Sequence, residues 1–188
     1  MIRLAVRRLR RSSGRELVQV LRPKRIDFLL YQLAPSDART DVAVADDVVI
    51  QRFTPENPSS FRAIDARLTE KRHCYAVILN GTVAHQSWLF GDLILLAQFG
   101  FDPEIPVIGE CDTPPAFRGM RLYPRALQYI AQDVFRRGVA DRLYMWVAPD
   151  NILSIRGIER AGFSLTARLR GFKLAGLLVY RKVDRYGE

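Results

Sequence analysis

Residues 26–188 predict a single α/β (α+β) domain, and three observations carry that expectation. Strand-like and helix-like runs alternate along the chain, with no internal repeat, low-complexity tract or dividing linker. Asn80-Gly81 joins two strand-like runs with the preferred two-residue hairpin turn, because both of its positions need positive φ. A strand-like run followed by a turn and a helical apolar period occurs twice in the second half of the chain. The length of 188 residues suits one substantial core, and 48% apolar with 10% aromatic residues is ordinary globular usage.

The elements follow in order. Residues 27–33 (DFLLYQL) read as a first strand, 34–47 as a polar connection, and 48–53 (VVIQRF) as a second strand. The 54–60 segment is loop chemistry in which Ser59 or Ser60 caps a helix, with Phe61, Ile64 and Leu68 at near-helical spacing through Arg72. Runs 75–79 and 82–90 flank the Asn-Gly turn, and Pro103 and Pro106 break regular structure across 91–106. Residues 107–112 (VIGECD) read as a strand. Beyond Thr113-Pro114-Pro115, a helix is spelled by Leu122, Ala126, Leu127, Ile130, Ala131 and Val134. Pro124 is tolerated in its first turn, and Gly138 ends it. A strand at 142–147, a helix from Asn151 to Gly162, and two closing strands at 165–170 and 172–183 joined near Gly171 complete the reading.

Composition excludes several classes. Two cysteines are too few for a disulfide framework, so a reducing cytosol is expected. No run approaches the roughly 20 apolar residues of a membrane-spanning helix, and no Cys/His cluster has metal spacing. The net charge of +9 suggests nucleic acid, but its distribution argues against that. Residues 1–25 hold nine basic side chains and one acid, while the remaining 163 carry 20 basic and 19 acidic groups. The basicity belongs to an N-terminal arm and the body is close to neutral. Ile2, Val6 and Leu9 would line one side of a short helix with arginines around the rest, a pattern suited to an anionic membrane surface. A solvated, frayed terminus is the equal alternative.

Three pieces carry chemistry. The first is a strand, a Pro-rich turn with Arg118-Gly119-Met120-Arg121-Leu122-Tyr123, and a helix. The first-turn N–H groups of a helix lack intrahelical partners and the helix dipole adds positive charge, so such a turn can cradle a pyrophosphate. Gly119 permits close backbone approach, and Arg118 and Arg121 add charge. Taken alone, this is also what an ordinary strand-to-helix connection looks like. The second piece is the strand 143–147, and the third is Asn151-x-x-Ser154 followed by Glu159-Arg160-Ala161-Gly162-Phe163.

Together the pieces resemble the GNAT superfamily of acyl-coenzyme A-dependent N-acetyltransferases. The family loop reads roughly Pro-x-Tyr/Phe-Arg-Gly-x-Gly-Leu/Ile, and Pro115 to Leu122 match it. Its later helix reads Asn-x-x-Ala/Ser, ending Glu-Lys-x-Gly-Phe, and Asn151, Ser154, Glu159, Arg160, Gly162 and Phe163 match that. Thr113, Pro115 and Leu122-Tyr123-Pro124 further resemble a subgroup associated with bacterial cell-surface polysaccharide synthesis. The likeness is specific over 108–163, loose over 27–107, and does not extend to 1–25. It departs at Arg121 (a family glycine), at Ala116 (often Gln or Arg) and at Ile158, where the family often has a Tyr that protonates the leaving thiolate.

The resemblance implies a mixed, largely antiparallel sheet with helices on both faces, and acetyl-CoA or another acyl-CoA as co-substrate, without a metal. Backbone N–H groups from Arg118 through Gly119, Met120, Arg121 and Leu122 to Tyr123 would hold the pyrophosphate. The strand from Glu110 through Cys111 to Thr113 would run beside the pantetheine arm, a backbone N–H near Cys111 or Asp112 would polarise the thioester carbonyl, and Asn151 would lie near the pantetheine and sulfur with Ser154 on the same face one turn on. The acceptor amine must lose a proton, and Glu110 and Asp112 are the candidate bases. Regular alternation puts both on the sheet face opposite Cys111. Cys111 reads as a small hydrophobe rather than a nucleophile, because neither His73 nor His85 is near it in sequence. The implied protein is a cytoplasmic transferase acting on a small amine, for example an amino sugar, with the arm at the inner membrane face. Alternatives are an acyl carrier protein donor, a non-catalytic acyl-CoA-binding module and, last, a nucleic-acid binder.

Overall fold

The computed structural model describes residues 23–38, 48–175 and 177–187. The amphipathic expectation for residues 2–11 falls outside them. Lys24 and Arg25, counted with the basic arm, already belong to the first strand, β1 (Lys24–Leu33).

The remaining elements are β2 (Val49–Phe53), α1 (Arg62–Asp65), β3 (Arg72–Leu79), β4 (Thr82–Phe90), α2 (Ile94–Gln98), β5 (Val107–Asp112), α3 (Leu122–Arg136), β6 (Leu143–Val147), α4 (Ile152–Arg160), β7 (Ser164–Leu174) and β8 (Leu177–Arg185). The eight strands form one sheet in the order β2-β3-β4-β5-β6-β1-β7-β8. Every neighbouring pair is antiparallel except β5–β6. The mixed, largely antiparallel sheet is therefore as expected, and so are helices on both faces. On one face α3 and α4 bring Leu127, Ile130, Val134 and Ile158 onto Tyr31, Tyr75, Ile108 and Met145. On the other, α2 packs Leu96 against Ile26, Leu30, Val107 and Leu169, and α1 packs Ile64 against Phe53, Cys74 and Trp88. Among the described residues no helix is long and apolar enough to cross a membrane.

The hairpin turn forms where Asn80-Gly81 placed it, with φ of 49° and 73° at the two residues. Three expectations change. The helix expected over 61–72 shrinks to one turn, because Asp65 Oδ1 accepts from both the Ser59 N–H and hydroxyl and a Thr69–Arg72 bridge then starts the next strand. The 91–106 stretch contains the short helix α2. Gly171 does not join the closing strands. It lies inside β7, and the turn follows Leu174, with Ala175 at φ 52°. Gly171 is glycine for close approach: a Cβ there would sit 2.5 Å from the Tyr180 carbonyl oxygen on β8.

Candidate active site

The site begins where the sheet comes apart. The parallel β5–β6 pair is held over two register positions, Val107↔Tyr144 and Ile108↔Met145. Beyond them β5 follows β4 while β6 follows β1. The gap between the diverging strands is roofed by the start of α3 and by α4, leaving a cleft of about 410 Å³.

β5 does not alternate regularly along this cleft. Its register with β4 moves from Trp88↔Gly109 to Gln86↔Asp112, so β5 has one residue too many there. Glu110 absorbs the excess at φ 48°. Beyond the bulge alternation resumes: Glu110 meets arginines over Trp88 and Asp112 pairs with Gln86 on that same face, while Cys111 meets Ser87, so both carboxylates lie across the sheet from Cys111 as expected. Asp112 and Cys111 both border the cleft. Glu110 bridges Arg67 and Arg72, whose guanidiniums stack 4.4 and 4.7 Å above the Trp88 ring.

The turn into α3 has the expected shape. A single 3₁₀ turn, Pro115–Phe117, leads to Arg118, whose Nε donates to the Thr113 carbonyl at 3.1 Å and stitches the strand end to the loop. Gly119 has φ 84° and Arg121, the residue before the helix, has φ 57°. The left-handed region costs a non-glycine residue roughly 1–2 kcal/mol, which is the physical sense of a family glycine at position 121. Arg121 accepts that conformation and lines the cleft beside Arg118, Gly119, Leu122 and Tyr123. Met120 is 47% exposed and is not part of the lining. Across the gap Asn151 caps α4, its Oδ1 accepting from the Ser154 N–H at 3.2 Å, and both residues line the cleft.

The sequence singles out His85 as a base if it faces the cleft, or else as a hydrogen-bonded histidine, but spacing does not reveal the chain it joins at the cleft floor. His85 is fully buried; its Nδ1 lies 2.7 Å from Thr113 Oγ1 and its Nε2 2.8 Å from Ser87 Oγ, and Ser87 donates to Cys111 Sγ at 3.1 Å. His85 is remote from Cys111 along the chain but two hydrogen bonds from it in space. Burial holds the imidazole down at about 4 and pushes the Cys111 thiol up to about 12, with the Ser87 hydroxyl opposing the latter. At neutral pH this is a chain of uncharged groups. Tyr123 completes the floor. Its ring lies where a Gly157 Cβ would be, 2.5 Å from Tyr123 Cδ1, and its hydroxyl reaches Met145 Sδ at 3.7 Å. Burial foremost, with Cys111 beside it, pushes its phenol up, so it keeps its proton. The signal for this contact was Gly157 itself, since a glycine inside a helix costs about 1 kcal/mol against alanine and calls for a reason.

No protein-family model matches the sequence, and no curated protein matches it. Solved structures do share its fold. A GCN5-related N-acetyltransferase from Sphaerobacter thermophilus aligns over 95% of this chain with a TM-score of 0.56 and 17% identity. One from Kribbella flavida aligns over 82% with a TM-score of 0.56 and 14% identity. A tandem GNAT protein from the clavulanic acid biosynthesis pathway aligns over 88% with a TM-score of 0.54 and 15% identity. This chain spans 59%, 61% and 59% of those proteins, less than two thirds of each. At these identities the likeness establishes the GNAT fold.

Proposed function

We propose that this protein transfers an acetyl or other short acyl group from acyl-coenzyme A to an acceptor amine, by direct attack while both substrates are bound. The observation that carries this reading is the roofed cleft at the β5–β6 splay, with the Arg118–Tyr123 turn and the α3 N-terminus at one end. Free N–H groups and the dipole of a 15-residue helix suit a pyrophosphate there, and Arg118 and Arg121 add charge. The bulge at Glu110 takes a β5 peptide out of regular pairing, so a backbone N–H near Cys111 or Asp112 serves the thioester carbonyl.

The acceptor arrives as an alkyl ammonium with a pKa near ~10 and must lose a proton. Asp112, a residue at the cleft whose side chain lies on the Gln86 face of the sheet, takes that proton directly or through water. Glu110, whose carboxylate is engaged by Arg67 and Arg72, is the second candidate and lies on the same sheet face as Asp112. Ile158 cannot return a proton to the departing sulfur. Tyr123 brings a hydroxyl to the cleft, but the burial that raises its phenol opposes giving up the proton, so the thiolate, a fair leaving group, departs as the anion. Much of the rate comes from holding amine and thioester together.

The favoured acceptor is an amino sugar of a cell-envelope polysaccharide, supported by the Thr113, Pro115 and Leu122-Tyr123-Pro124 pattern. The reading places the enzyme in the cytoplasm. An acyl carrier protein donor is the second reading. The exposed basic side chains Arg118, Arg121 and Arg160 at the cleft favour it, because such carriers are acidic.

Calorimetric titration with acetyl-CoA tests the proposal, beside an Arg118→Glu variant that reverses charge at the cradle. The expected result is binding with Kd of about micromolar order that drops by roughly a hundredfold in the variant. Absence of binding by the unmodified chain would sink the coenzyme A reading in favour of the carrier protein. Binding without turnover on any amine would leave a non-catalytic module.

A further inference from the structure

The far edge of the sheet carries a surface that acyl transfer does not use. Among the described residues, β8 is paired on one side by β7 and is open on the other. At the hairpin end of this pair Val179 is 61%, Tyr180 52%, Phe172 45% and Leu174 38% exposed. They share one face. Phe172 and Tyr180 are cross-strand partners with ring centroids 6.2 Å apart. Leu174 stands two residues beyond Phe172, and a register shift after Phe172 makes Val179 the extra residue beside Tyr180. Leu178 points the other way, into the α2 cluster. The result is an uncovered apolar strip at the margin of the molecule, not scattered surface residues.

Its frame is basic. β1, β7 and β8 together hold eight basic side chains against two acids, Asp27 and Asp184. Both acids are engaged away from the hairpin end, Asp27 with Arg168 and Asp184 with Arg170. At that end Lys24 stands directly across from Lys173. Burial and then the Lys24 charge push the Lys173 ammonium down, as expected where positive charges face each other without an acid between them. The chain also enters β1 at this corner, and residues 1–22, which precede it, contribute seven arginines and one glutamate in sequence.

We propose that the β7–β8 hairpin end is a docking surface for an anionic lipid bilayer, with Phe172, Leu174, Val179 and Tyr180 entering the headgroup region while Arg25 and Lys182 on the same face, and Lys24 and Lys173 at the margin of the other, meet lipid phosphates. Apolar side chains embedded in a basic rim are what an anionic interface rewards. A second copy of the chain is disfavoured because a symmetric contact would bring the basic rims together. Nucleic acid can stack bases on Phe172 and Tyr180 but offers nothing to Leu174 and Val179. The inference stands independently of the acyl-transfer reading.

Co-sedimentation of the full chain with vesicles tests it. Vesicles of phosphatidylcholine mixed with phosphatidylglycerol should retain the protein, and pure phosphatidylcholine should not. A Phe172→Ser, Val179→Ser, Tyr180→Ser variant keeps every charge and should bind at least about tenfold more weakly. Equal binding by that variant would overturn the proposal, because the charge of residues 1–25 alone would then suffice. So would failure of the unmodified chain to bind, or a concentration-dependent dimer that the variant abolishes. A Tyr180→Trp variant guards against a folding artefact: its emission should shift to the blue on anionic vesicles, and an unshifted spectrum with bound protein would also overturn the proposal.

Discussion

Among the described residues, two of the places where the sheet stops pairing make an instructive contrast. Between β5 and β6 it opens in its interior, over ground that α3 and α4 roof, and the side chains lining the gap floor are neutral and hydrogen-bonded to one another. Beyond β8 it stops at a margin, where charge and apolar surface face outward with no roof. Uncharged groups survive burial when they satisfy each other. Charged groups do so at an edge because water or a partner can solvate them. The interior opening therefore suits a ligand that must be stripped of water, and the margin suits a surface that stays wet.

The largest expected effect sharpens that contrast through packing. Ile130 is fully buried on α3 behind the cleft, and Ile130→Ala should cost about 2–5 kcal/mol in urea unfolding. Val179→Ala at the margin should stay within about 0.5 kcal/mol. Similar costs at both sites would mean that the margin is covered in solution.

Acid tests the same contrast electrostatically. The ordinary imidazole value of 6.5 is held at about 4 at His85. As pH falls through that window the unfolded chain takes up a proton that the folded chain refuses. Stability is thus intact above 6.5 and should decline by about 3 kcal/mol by pH 4. Burial lowers His73 too, adding in the same direction. Urea midpoints followed against pH should flatten across this window in His85→Gln. Lys173 is also lowered, so its contribution rises on the alkaline side, below the usual lysine value. Lys173→Gln should leave the acid limb untouched.

The two crowded glycines come next. A Cβ at Gly157 meets the Tyr123 ring at 2.5 Å, and one at Gly171 meets the Tyr180 backbone oxygen at the same 2.5 Å. Each Gly→Ala change should cost about 1–3 kcal/mol by thermal melting. A second change, Tyr123→Ala, should relieve Gly157→Ala, whereas no side-chain change should relieve Gly171→Ala. If both costs were negligible, neither close approach would govern its region. The smallest effect is at Arg121, where Arg121→Gly should gain about 1 kcal/mol by removing a left-handed arginine while weakening donor binding.

Legibility in the sequence followed the range of the physics. The Asn80-Gly81 hairpin, the α3 periodicity and the Asn151 cap are local, and they appear where the spacing put them. The candidate cradle from Arg118 to Tyr123 was legible for the same reason. The faces of Glu110, Cys111 and Asp112 were legible from alternation, but the bulge at Glu110 was not, because it depends on the partner strand, which no run of six residues reveals. Gly171 misled because its glycine answers a neighbouring backbone rather than a turn. The His85–Ser87–Cys111 link needed the β4–β5 register, and Tyr123 over Gly157 needed two helices brought together.

The position of β1 bears on how the chain is born. It lies between β6 and β7, and its partner Lys173 is the residue opposite Lys24. A ribosome releases the first strand long before it has made either neighbour. At synthesis rates of roughly 5–20 residues per second, Ile26, Leu30, Tyr31 and Leu33 wait on the order of ten seconds for their slot to exist. During that wait the nascent chain presents an apolar strand with both edges bare, a ready client for a chaperone, and the sheet can close only after β7 has been made.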